Sequence, residues 1–317
     1  MVDAAGPWVG GLLGSVEERL AEVGDSYGAL LAEHAGATIA AGGKRLRPLL
    51  VLVAAGAEPL TPAGLVRAGV AVELVHSATL VHDDVLDAAA LRRGRPTVWA
   101  SAGRGAATAA GDLLFAAAFA ELARNERADE IRALSRAGSA LALGELLQRE
   151  DAWKADVPVA RYLHRCELKT ARLFEAACTL GVLEAGGGPQ EAAGLAAFGR
   201  RIGLAFQLLD DVLDVSGPAE RTGKHRGTDL LDGTVTLPFI LARERSAALA
   251  AVDPRAIGSP AQAAALCDQI RATGALEASR EQALALVDAA KEDLPHRDTA
   301  QRRALELIAD SVVARYA

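Results

Sequence analysis

The chain is built from long segments in which apolar residues recur at helical spacing. No segment alternates apolar and polar residues for long enough to predict a β-strand. Ala, Leu, Arg and Glu, which favour helices, are abundant, whereas the β-branched and aromatic runs typical of strands are rare. The predicted helices cover residues 63–87, 105–124, 128–150, 158–184, 190–215 and 234–250. The pattern predicts an all-α protein whose helices are longer than average.

Glycine and proline clusters separate these segments, but no low-complexity linker divides the chain. The main clusters lie at 42–48, 92–96, 186–189, 216–218 and 253–260. At 317 residues the chain has room for one large domain or two small ones. Because no linker separates two halves, we predict a single domain over residues 1–317.

The composition is that of a soluble globular protein, with 51% apolar and 24% charged residues. The 34 basic and 41 acidic residues give a net charge of -7, which argues against a general nucleic-acid-binding protein, because such proteins need a basic face.

Three widely spaced cysteines form neither a disulfide framework nor a zinc motif, which favours a reducing cytoplasm. No signal peptide is evident at the N-terminus. The most apolar stretch, 105–124, is interrupted by Asp112 and Glu121, so we expect a helix buried on nearly all sides and no membrane span.

Two acidic clusters share one spacing, in VHDDVLD at 81–87 and LDDVLD at 209–214. Each places carboxylates at i, i+1 and i+4, and a helix gathers these into one patch because residues i and i+4 lie almost above one another. The first acidic triplet is Asp83, Asp84 and Asp87, and the second acidic triplet is Asp210, Asp211 and Asp214. A solvated polar stripe would explain one such cluster, but both have apolar flanks and the cluster occurs twice. Oxygen-only ligands suit Mg²⁺, so we predict two facing patches that bind Mg²⁺ and, through it, a diphosphate.

Basic residues that suit phosphate oxygens accompany the two triplets. Only five of the 34 basic residues are lysines, so a clustered lysine is more informative than one of the many arginines. The candidates are Lys44 in GGKRLRP, Arg92 and Arg93 after the first triplet, Lys169 before Thr170, and Lys224 in the loop after the second triplet. Any single arginine here would more typically be a surface residue.

With these motifs the chain resembles the trans-isoprenyl diphosphate synthases, the polyprenyl synthetase family. The resemblance extends in order through GGKRLRP, ELVHSATLVHDDVLDAAALRRGRPT, AGDLLF, GELLQ, LKTARLF, AFQLLDDVLD, TGK, GTDL and TLP. It implies a bundle of long helices around a central cavity, the isoprenoid synthase fold. It also implies a homodimeric enzyme that condenses isopentenyl diphosphate with an allylic prenyl diphosphate.

The resemblance implies a role for each matching residue. The metal ligands would be Asp83, Asp84, Asp87, Asp210 and Asp214, holding three Mg²⁺ ions, or Mn²⁺, with Asp211 outside the direct ligand set or on a bridging water. Isopentenyl diphosphate would be bound by Lys44, Arg47, His76 and Arg93. The allylic diphosphate would be bound by Arg92, Lys169, Thr170, Gln207 and Lys224. The six aspartates, Lys169 and Lys224 would form the catalytic set. A lone histidine on an apolar helix is more commonly a core residue, but the motif match favours substrate binding for His76.

One position departs from the family pattern. The chain reads DGTVTLP, with Thr234 where many members have a lysine two residues before the threonine of TLP. Some long-chain members also lack this lysine, so we interpret Thr234 as the mark of a subtype with one diphosphate contact fewer.

Several polar residues near the motifs fit a structural role. We expect Glu73 and Glu145 to form hydrogen bonds between helices and Arg45 to be structural. Trp153 follows no pattern that indicates function.

Product length is expected to depend on the residues just before the first acidic triplet. One helical turn rises about 5.4 Å, close to the length of an isoprene unit, so a bulky residue one turn back would stop chain growth early. Ala78 and Thr79 occupy these positions, and residues 63–87 contain no aromatic side chain. Short-chain members usually have one there, so we predict an all-trans product of C20 or longer, with C30–C50 favoured. Phe115 and Phe119 are candidate floors of the tunnel, although plain core packing explains them equally well.

Three alternatives stay open from the sequence. A geranylgeranyl or farnesyl diphosphate synthase would share every motif. A non-catalytic partner subunit of a heteromeric prenyl synthase typically loses one acidic motif, and this chain keeps both. A class I terpene cyclase would have a single DDxxD motif, without GGKRxRP or the second acidic triplet.

Overall fold

Helices contain most of the residues that the computed structural model describes, which are 6–27, 45–56, 62–92, 94–217, 225–294 and 299–314. The α-helices in the N-terminal two thirds of the chain are α1 Pro7–Ser26, α2 Leu46–Ala55, α3 Pro62–Leu86, α4 Val98–Ala123, α5 Ala128–Asp151, α6 Val159–Cys166, α7 Arg172–Glu184 and α8 Pro189–Ser216. They are followed by α9 Thr228–Leu231, α10 Leu237–Arg245, α11 Ala247–Ala250, α12 Pro260–Ala272, α13 Ala275–Glu292 and α14 Thr299–Ala314. A π-helical turn spans Glu167–Ala171 and a 3₁₀ turn spans Pro254–Ala256. The predicted all-α class is confirmed.

The long helices follow the predicted boundaries where apolar periodicity ends at a clear breaker. The predicted helices 63–87 and 190–215 correspond to α3 and α8 within one residue at each end. The predicted helix 234–250 is wrong, because the extended backbone of Ser246, with φ -138°, separates α10 from α11. The predicted helix 158–184 contains the π-helical turn, which a sequence pattern does not reveal.

The helix α4 differs from its prediction in length and burial. It begins at Val98, and Gly103, with φ 84°, interrupts its regular geometry. The helices α3 and α4 are both long and apolar enough to cross a membrane by length and composition, and their most apolar windows are 72% and 44% buried. Water-soluble core helices pass the same test. The expectation that 105–124 is buried on nearly all sides is therefore wrong, since α4 exposes a side that includes Ala109, Asp112 and Ala116.

The chain forms two compact units. The first unit comprises residues 1–139, 173–199 and 293–308, and the second unit comprises residues 140–172, 200–292 and 309–317. The single domain over 1–317 stays a prediction.

The core of the first unit is built around α3, which packs on α1, α2 and α4. All of its central residues from Val70 to Val75 are buried, and the apolar ones among them are 0% exposed. This burial is expected of a helix that has no polar face. The buried Gln301 of α14 donates from Nε2 to the carbonyls of Val53 and Ala54 at 3.2 and 3.1 Å. This amide therefore adds hydrogen bonds in the last turn of α2, where the carbonyl of Val53 also accepts from the N–H of Gly56 at 3.1 Å.

The second unit is organised around α10, which packs against α6, α11, α12 and α13. The fully buried Tyr162 of α6 and the buried Phe239 of α10 are among its largest core side chains. This arrangement places a tyrosine hydroxyl inside the core, where it needs a hydrogen-bond partner.

A short strand pair follows α3. The strands β1, Leu91–Arg92, and β2, Arg95–Pro96, pair antiparallel, with Arg92 opposite Arg95. Gly94, with φ 75°, adopts the left-handed backbone that this tight turn requires. Two residues a strand are too few for a periodic sequence signal, which is why the pattern did not predict this pair.

Candidate functional site

The first acidic triplet lies at the carboxyl-terminal end of α3. Asp83 and Asp84 belong to its last turn, and the N–H of Asp87 donates to the carbonyl of Asp83 at 2.8 Å. This bond continues the helical turn through Asp87, so Asp83 and Asp87 lie on the same face. Asp83 is half-buried and Asp87 is exposed, whereas Asp84 is only 2% exposed.

Arg92 returns to this triplet through the strand pair. Its Nε donates to Oδ1 of Asp84 at 2.8 Å, which forms an ion pair with an almost fully buried carboxylate. A buried carboxylate needs such a partner because charge is costly to remove from water. Arg92, a predicted ligand of the allylic diphosphate, therefore lies beside the first acidic triplet.

Two stacked rings lie next to the same triplet. The ring centroids of His82 and Phe115 are 5.9 Å apart, with an interplanar angle of 22°. Nε2 of His82 is 3.3 Å from Oδ1 of Asp112, and a Cβ on Gly111 would overlap with the imidazole. Phe115, a candidate tunnel floor, is therefore level with the last turn of α3, and Phe119 lies one turn further along α4.

The predicted chain-length positions lie further back on α3. Ala78 is fully buried, and Thr79 is half-buried and donates from Oγ1 to the carbonyl of His76 at 2.7 Å. His76 itself is half-buried. Because Ala78 is fully buried, a larger side chain at this position would press on its neighbours in the interior.

Two arginines near the start of α2 have different surroundings. The guanidinium carbon of Arg47 lies 4.6 Å from the ring centroid of the buried Phe174, a cation–π contact that orients this side chain. Arg45, in the left-handed conformation with φ 43°, is buried between Glu17 at 2.5 Å and Glu73 at 2.6 Å. These contacts agree with the structural role expected of Arg45 and Glu73.

The second acidic triplet lies in the last two turns of α8. Asp210 is exposed, Asp214 is half-buried and Asp211 is 4% exposed. Oδ2 of Asp214 accepts from the N–H of Asp229 at 3.3 Å, and its carbonyl accepts from the N–H of Gly227 at 2.9 Å. The segment that begins α9 is thereby joined to the second triplet.

A hydrogen-bond chain surrounds the middle aspartate of this triplet. The hydroxyl of Tyr162 donates to Oδ2 of Asp211 at 2.7 Å, and Nε2 of Gln207 donates to Oδ1 at 2.8 Å. The hydroxyl of Thr170 in turn donates to Oε1 of Gln207 at 2.7 Å. Burial raises the pKa of Asp211 to about 6, although both donors act to lower it. Because both carboxylate oxygens already accept from protein groups, the geometry suits a role outside the direct ligand set.

Lys169 projects from the π-helical turn beside Thr170. Its Nζ donates to Oε2 of Glu145 on α5 at 2.5 Å, and Glu145 also accepts from Arg149 at 2.8 Å. Although burial acts to raise the pKa of Glu145, Lys169 and Arg149 hold it below its usual value. A Cβ on Gly144 would lie 2.5 Å from the backbone nitrogen of Lys169, so only glycine allows this close approach. Glu145 forms the predicted contact between helices, with a predicted substrate ligand as its partner.

The turn that carries Thr234 is held from two sides. The N–H of Trp153 donates to the carbonyl of Gly233 at 2.9 Å, and the indole covers Gly233 so closely that a Cβ there would overlap with it. Nη2 of the buried Arg165 donates to the carbonyl of Val235 at 2.5 Å. Thr234 is half-buried within this fixed turn.

Tyr162 contacts the predicted site residue Asp211, and Trp153 contacts the turn that carries Thr234, but no sequence motif indicated either contact. Tyr162 precedes Thr170 by eight residues, which in a regular α-helix puts the two about 80° apart around the axis. The π-helical turn contains an additional residue and reduces this offset, so both side chains meet the Gln207–Asp211 pair. The sequence did show a tyrosine close to the LKT segment. Its contact with Asp211 could not be predicted without the π-helical turn, which changes the direction of the side chains.

The donor chemistry at both triplets fits a hard divalent cation. The carboxylates of Asp83, Asp87, Asp210 and Asp214 are at least partly exposed and offer only oxygen. No group of three His, Cys, Asp or Glu side chains is already arranged for a metal within the described part of the chain. Mg²⁺ does not require one, because it usually takes one or two carboxylates, several waters and substrate phosphates.

The predicted site residues divide between the two units. The first acidic triplet, Arg47, His76 and Arg92 lie in the first unit, and the second acidic triplet, Lys169, Thr170 and Gln207 lie in the second. The predicted phosphate ligands Lys44, Arg93 and Lys224 lie outside the described residues. That the two triplets face each other stays a prediction.

Comparisons with known proteins agree with one another. The sequence profile of the polyprenyl synthetase family matches residues 29–271. Heptaprenyl diphosphate synthase component 2 of Geobacillus stearothermophilus is 42% identical over 272 residues, which cover 84% of this chain and 84% of that protein. Geranylgeranyl diphosphate synthase of Methanosarcina mazei is 35% identical over 282 residues, which cover 87% of this chain and 86% of that protein. The crystal structure of a polyprenyl synthase from Caulobacter crescentus CB15, complexed with calcium and isoprenyl diphosphate, is 35% identical with a TM-score of 0.93, and the match covers 100% of this chain and 98% of that one.

Proposed function

The chain belongs to the polyprenyl synthetase family, whose members are prenyltransferases, and on this premise we propose the reaction it catalyses. The enzyme condenses isopentenyl diphosphate with an allylic prenyl diphosphate in a Mg²⁺-dependent reaction. The product is a linear all-trans polyprenyl diphosphate.

One observation carries this proposal: in each unit, groups that suit a diphosphate lie next to an acidic triplet. Arg92 is paired with Asp84 in the first unit. Thr170 reaches Asp211 through Gln207 in the second unit, and Lys169 is the neighbour of Thr170. Carboxylates and phosphate-binding groups that lie together suit a phosphate ester that arrives with a divalent cation.

The proposed metal ligands are Asp83, Asp84, Asp87, Asp210 and Asp214, with Mg²⁺ as the ion and Mn²⁺ as a substitute. When bound, the ions neutralise diphosphate oxygens and thereby favour cleavage of the allylic C–O bond. The calcium and isoprenyl diphosphate in the Caulobacter structure support this choice of ion class and substrate. Three ions per active site is the number that we propose.

The substrate sites are proposed by motif and position. Isopentenyl diphosphate binds at Lys44, Arg47, His76 and Arg93, and the allylic diphosphate binds at Arg92, Lys169, Thr170, Gln207 and Lys224. Lys169 is held by Glu145 in the described structure, and we propose that its ammonium donates to a diphosphate oxygen when the substrate is bound.

The proposed reaction needs positioning and charge stabilisation more than a nucleophilic side chain. The allylic C–O bond breaks and its electron pair leaves with the pyrophosphate, which Lys169 and Lys224 stabilise. The double bond of isopentenyl diphosphate then forms the new C–C bond with the allylic cation. The adduct loses a proton, which we assign to the departing pyrophosphate.

The proposed product has at least C20, and C30–C50 is favoured. The fully buried Ala78 and the half-buried Thr79 support this length, because neither side chain is large enough to stop growth one turn from the first acidic triplet. The names of two relatives bracket the C30 limit in product length. The heptaprenyl synthase component lies above it, and the geranylgeranyl diphosphate synthase lies below it. A geranylgeranyl product is the nearest alternative, and a farnesyl product would be unexpected without an aromatic residue in α3.

A second candidate function is one subunit of a two-component synthase. It is favoured by the 42% identity to a protein named as component 2 of a heptaprenyl diphosphate synthase. Both acidic triplets are present in this chain, so in such an assembly it would be the catalytic component. If the chain acts without a second protein, we propose that it is a cytoplasmic homodimer. Its three cysteines are free and buried, which is compatible with a reducing compartment.

Turnover by the purified chain tests these proposals. The protein is incubated with MgCl₂, radiolabelled isopentenyl diphosphate and allylic primers from C5 to C20, and the dephosphorylated products are separated by chromatography. Elongated prenyl alcohols are expected, with none in EDTA. A released hydrocarbon would indicate a terpene cyclase, and no turnover until a second protein is added would indicate a component of a heteromer. No product under any of these conditions would overturn the proposed reaction.

A further inference from the structure

Tyr162 is a fully buried polar side chain to which neither the sequence motifs nor the proposed reaction gives a role. It lies on α6 in the second unit with 0% of its surface exposed. Its hydroxyl donates to Oδ2 of Asp211 at 2.7 Å. This distance is typical of a strong hydrogen bond between a hydroxyl and a carboxylate. A phenylalanine would fill the same volume, so the hydroxyl is a specific feature of this position.

The bond from Tyr162 holds the carboxylate of Asp211, and this carboxylate sets the direction of the hydrogen-bond chain because it only accepts. Asp211 accepts from Tyr162 on one oxygen and from the amide nitrogen of Gln207 on the other. The amide of Gln207 must then present its oxygen to Thr170, whose hydroxyl donates to it at 2.7 Å. The hydroxyl of Thr170, next to Lys169, therefore has one preferred direction.

The same tyrosine also borders the turn that contains Thr234. The guanidinium carbon of Arg165 lies 5.3 Å from the ring centroid of Tyr162, and Arg165 donates to the carbonyl of Val235. Tyr162 thus contacts the second acidic triplet directly, the Thr234 turn through Arg165, and Thr170 through Asp211 and Gln207.

We propose that Tyr162 is a positioning residue that sets the rotation of α8 at the second acidic triplet and the orientation of Thr170 beside it. Asp210 and Asp214 flank Asp211 on the same helix, so fixing the carboxylate of Asp211 fixes the directions in which both project. The inference rests on the proposed function, because it assumes that Asp210, Asp214 and Thr170 bind the same diphosphate together with its Mg²⁺. Tyr162 itself does not touch the substrate.

Binding of inorganic pyrophosphate in the presence of Mg²⁺, measured by calorimetry, tests this role without turnover. Tyr162→Phe should weaken pyrophosphate binding and raise the KM for the allylic substrate, each about five- to tenfold, since one hydrogen bond to a charged group is lost. The KM for isopentenyl diphosphate should stay within about twofold, because its proposed ligands lie in the first unit. A purely structural role would lower the unfolding temperature without this split between the two substrates.

The matched control is Tyr27→Phe, which makes the same change at a residue that is 42% exposed and follows α1. It should bind pyrophosphate like the unmodified protein. If Tyr162→Phe does not fold, Asp211→Asn, which keeps the shape of the side chain and removes one acceptor, is measured against the same expectations.

The inference is overturned if the folded variant binds pyrophosphate and the allylic substrate within twofold of the unmodified protein. A failure of the proposed function would look different, since the unmodified protein would then neither bind pyrophosphate with Mg²⁺ nor elongate any primer. A double variant adds a second criterion. Thr170→Val should have a smaller effect on pyrophosphate binding in the Tyr162→Phe background than alone, and strict additivity would contradict coupling between the two hydroxyls.

Discussion

Asp84 and Asp211 occupy the middle position of the two acidic triplets, and both are almost fully buried with protein donors. The partner of Asp84 is the cationic Arg92, whereas Asp211 has two neutral donors, Tyr162 and Gln207. A guanidinium neutralises a buried carboxylate, but neutral donors offset burial only in part, which explains why the pKa of Asp211 is raised to about 6. The two triplets share a spacing but differ in their electrostatics.

Ala78 offers a test of product length at a single residue. Replacing it with valine and then with phenylalanine should shorten the product stepwise, because each larger side chain fills more of the space one turn before the first acidic triplet. The measurement is the distribution of product lengths by chromatography of the dephosphorylated prenyl alcohols.

A buried alanine that becomes phenylalanine also overpacks the core, at about 1–3 kcal/mol. The unfolding temperature is therefore measured beside the products, and only folded variants are compared. A product distribution that is unchanged in a folded Ala78→Phe variant would remove Ala78 from the tunnel.

Between elements, a close backbone approach near the candidate site joins α5 to the π-helical turn. Gly144 lets the backbone of α5 come against Lys169, and Glu145, the next residue, pairs with the ammonium of Lys169. Gly144 thus positions the backbone of Lys169, and Glu145 positions its ammonium group. The close approach explains why a glycine is used within an α-helix, where it costs about 1 kcal/mol relative to alanine.

Gly144→Ala should separate these two elements. A Cβ 2.5 Å from the nitrogen of Lys169 requires a backbone shift, so we expect a loss of about 1–3 kcal/mol in the free energy of unfolding. The kcat should fall about ten- to hundredfold, since the ammonium of Lys169 moves with its backbone. Urea unfolding and steady-state kinetics measure the two effects.

Gly138→Ala is the matched control on the same helix. Its Cβ would meet Phe115 at 3.9 Å, an ordinary contact, so the substitution should leave the rate unchanged and stabilise α5 by about 0.5–1 kcal/mol. If both variants behaved alike, Gly144 would have no special part in placing Lys169.

For the whole molecule, Glu130 gives stability a dependence on pH. It is completely buried in the first turn of α5, where Asn125 donates to it at 2.9 Å and also to Glu184 at 3.2 Å. Nε of Arg127 lies 3.5 Å from Oε1 of Glu130. Burial and the neighbouring Glu184 raise the pKa of Glu130 from 4.5 to about 8.

The free energy of unfolding should therefore contain a component that falls as pH rises from 4.5 to 8. In this range the folded protein keeps the proton on Glu130 and the unfolded chain has lost it, so alkali favours unfolding. The slope from one such group is at most about 1.4 kcal/mol per pH unit. Glu130→Gln should reduce the dependence in urea unfolding between pH 5 and pH 8, whereas exposed Glu18→Gln should not. Parallel curves for all three proteins would contradict the protonated state of Glu130.

The sequence predicted what local patterns encode and missed what tertiary contacts decide. The helices α3 and α8 were found because their apolar periodicity ends at breakers, and both acidic triplets were found because the same spacing occurs twice. The strand pair at Gly94 is too short to give a periodic signal, and the left-handed Arg45 is held by Glu17 and Glu73, each 28 residues away along the chain. The role of Tyr162 also depends on a distant contact, since its partner Asp211 is 49 residues away along the chain.

The amide of Gln301 has a consequence for how the protein is made. It completes the hydrogen bonding at the end of α2, whose residue Val53 precedes it by 248 positions. At a synthesis rate of about 5–20 residues per second, Val53 leaves the ribosome's active centre about 12–50 s before its partner exists. During this interval the first unit, which contains the first acidic triplet, has to wait in an incomplete state. The nascent chain is therefore exposed to chaperones and proteases until Gln301 has been synthesised.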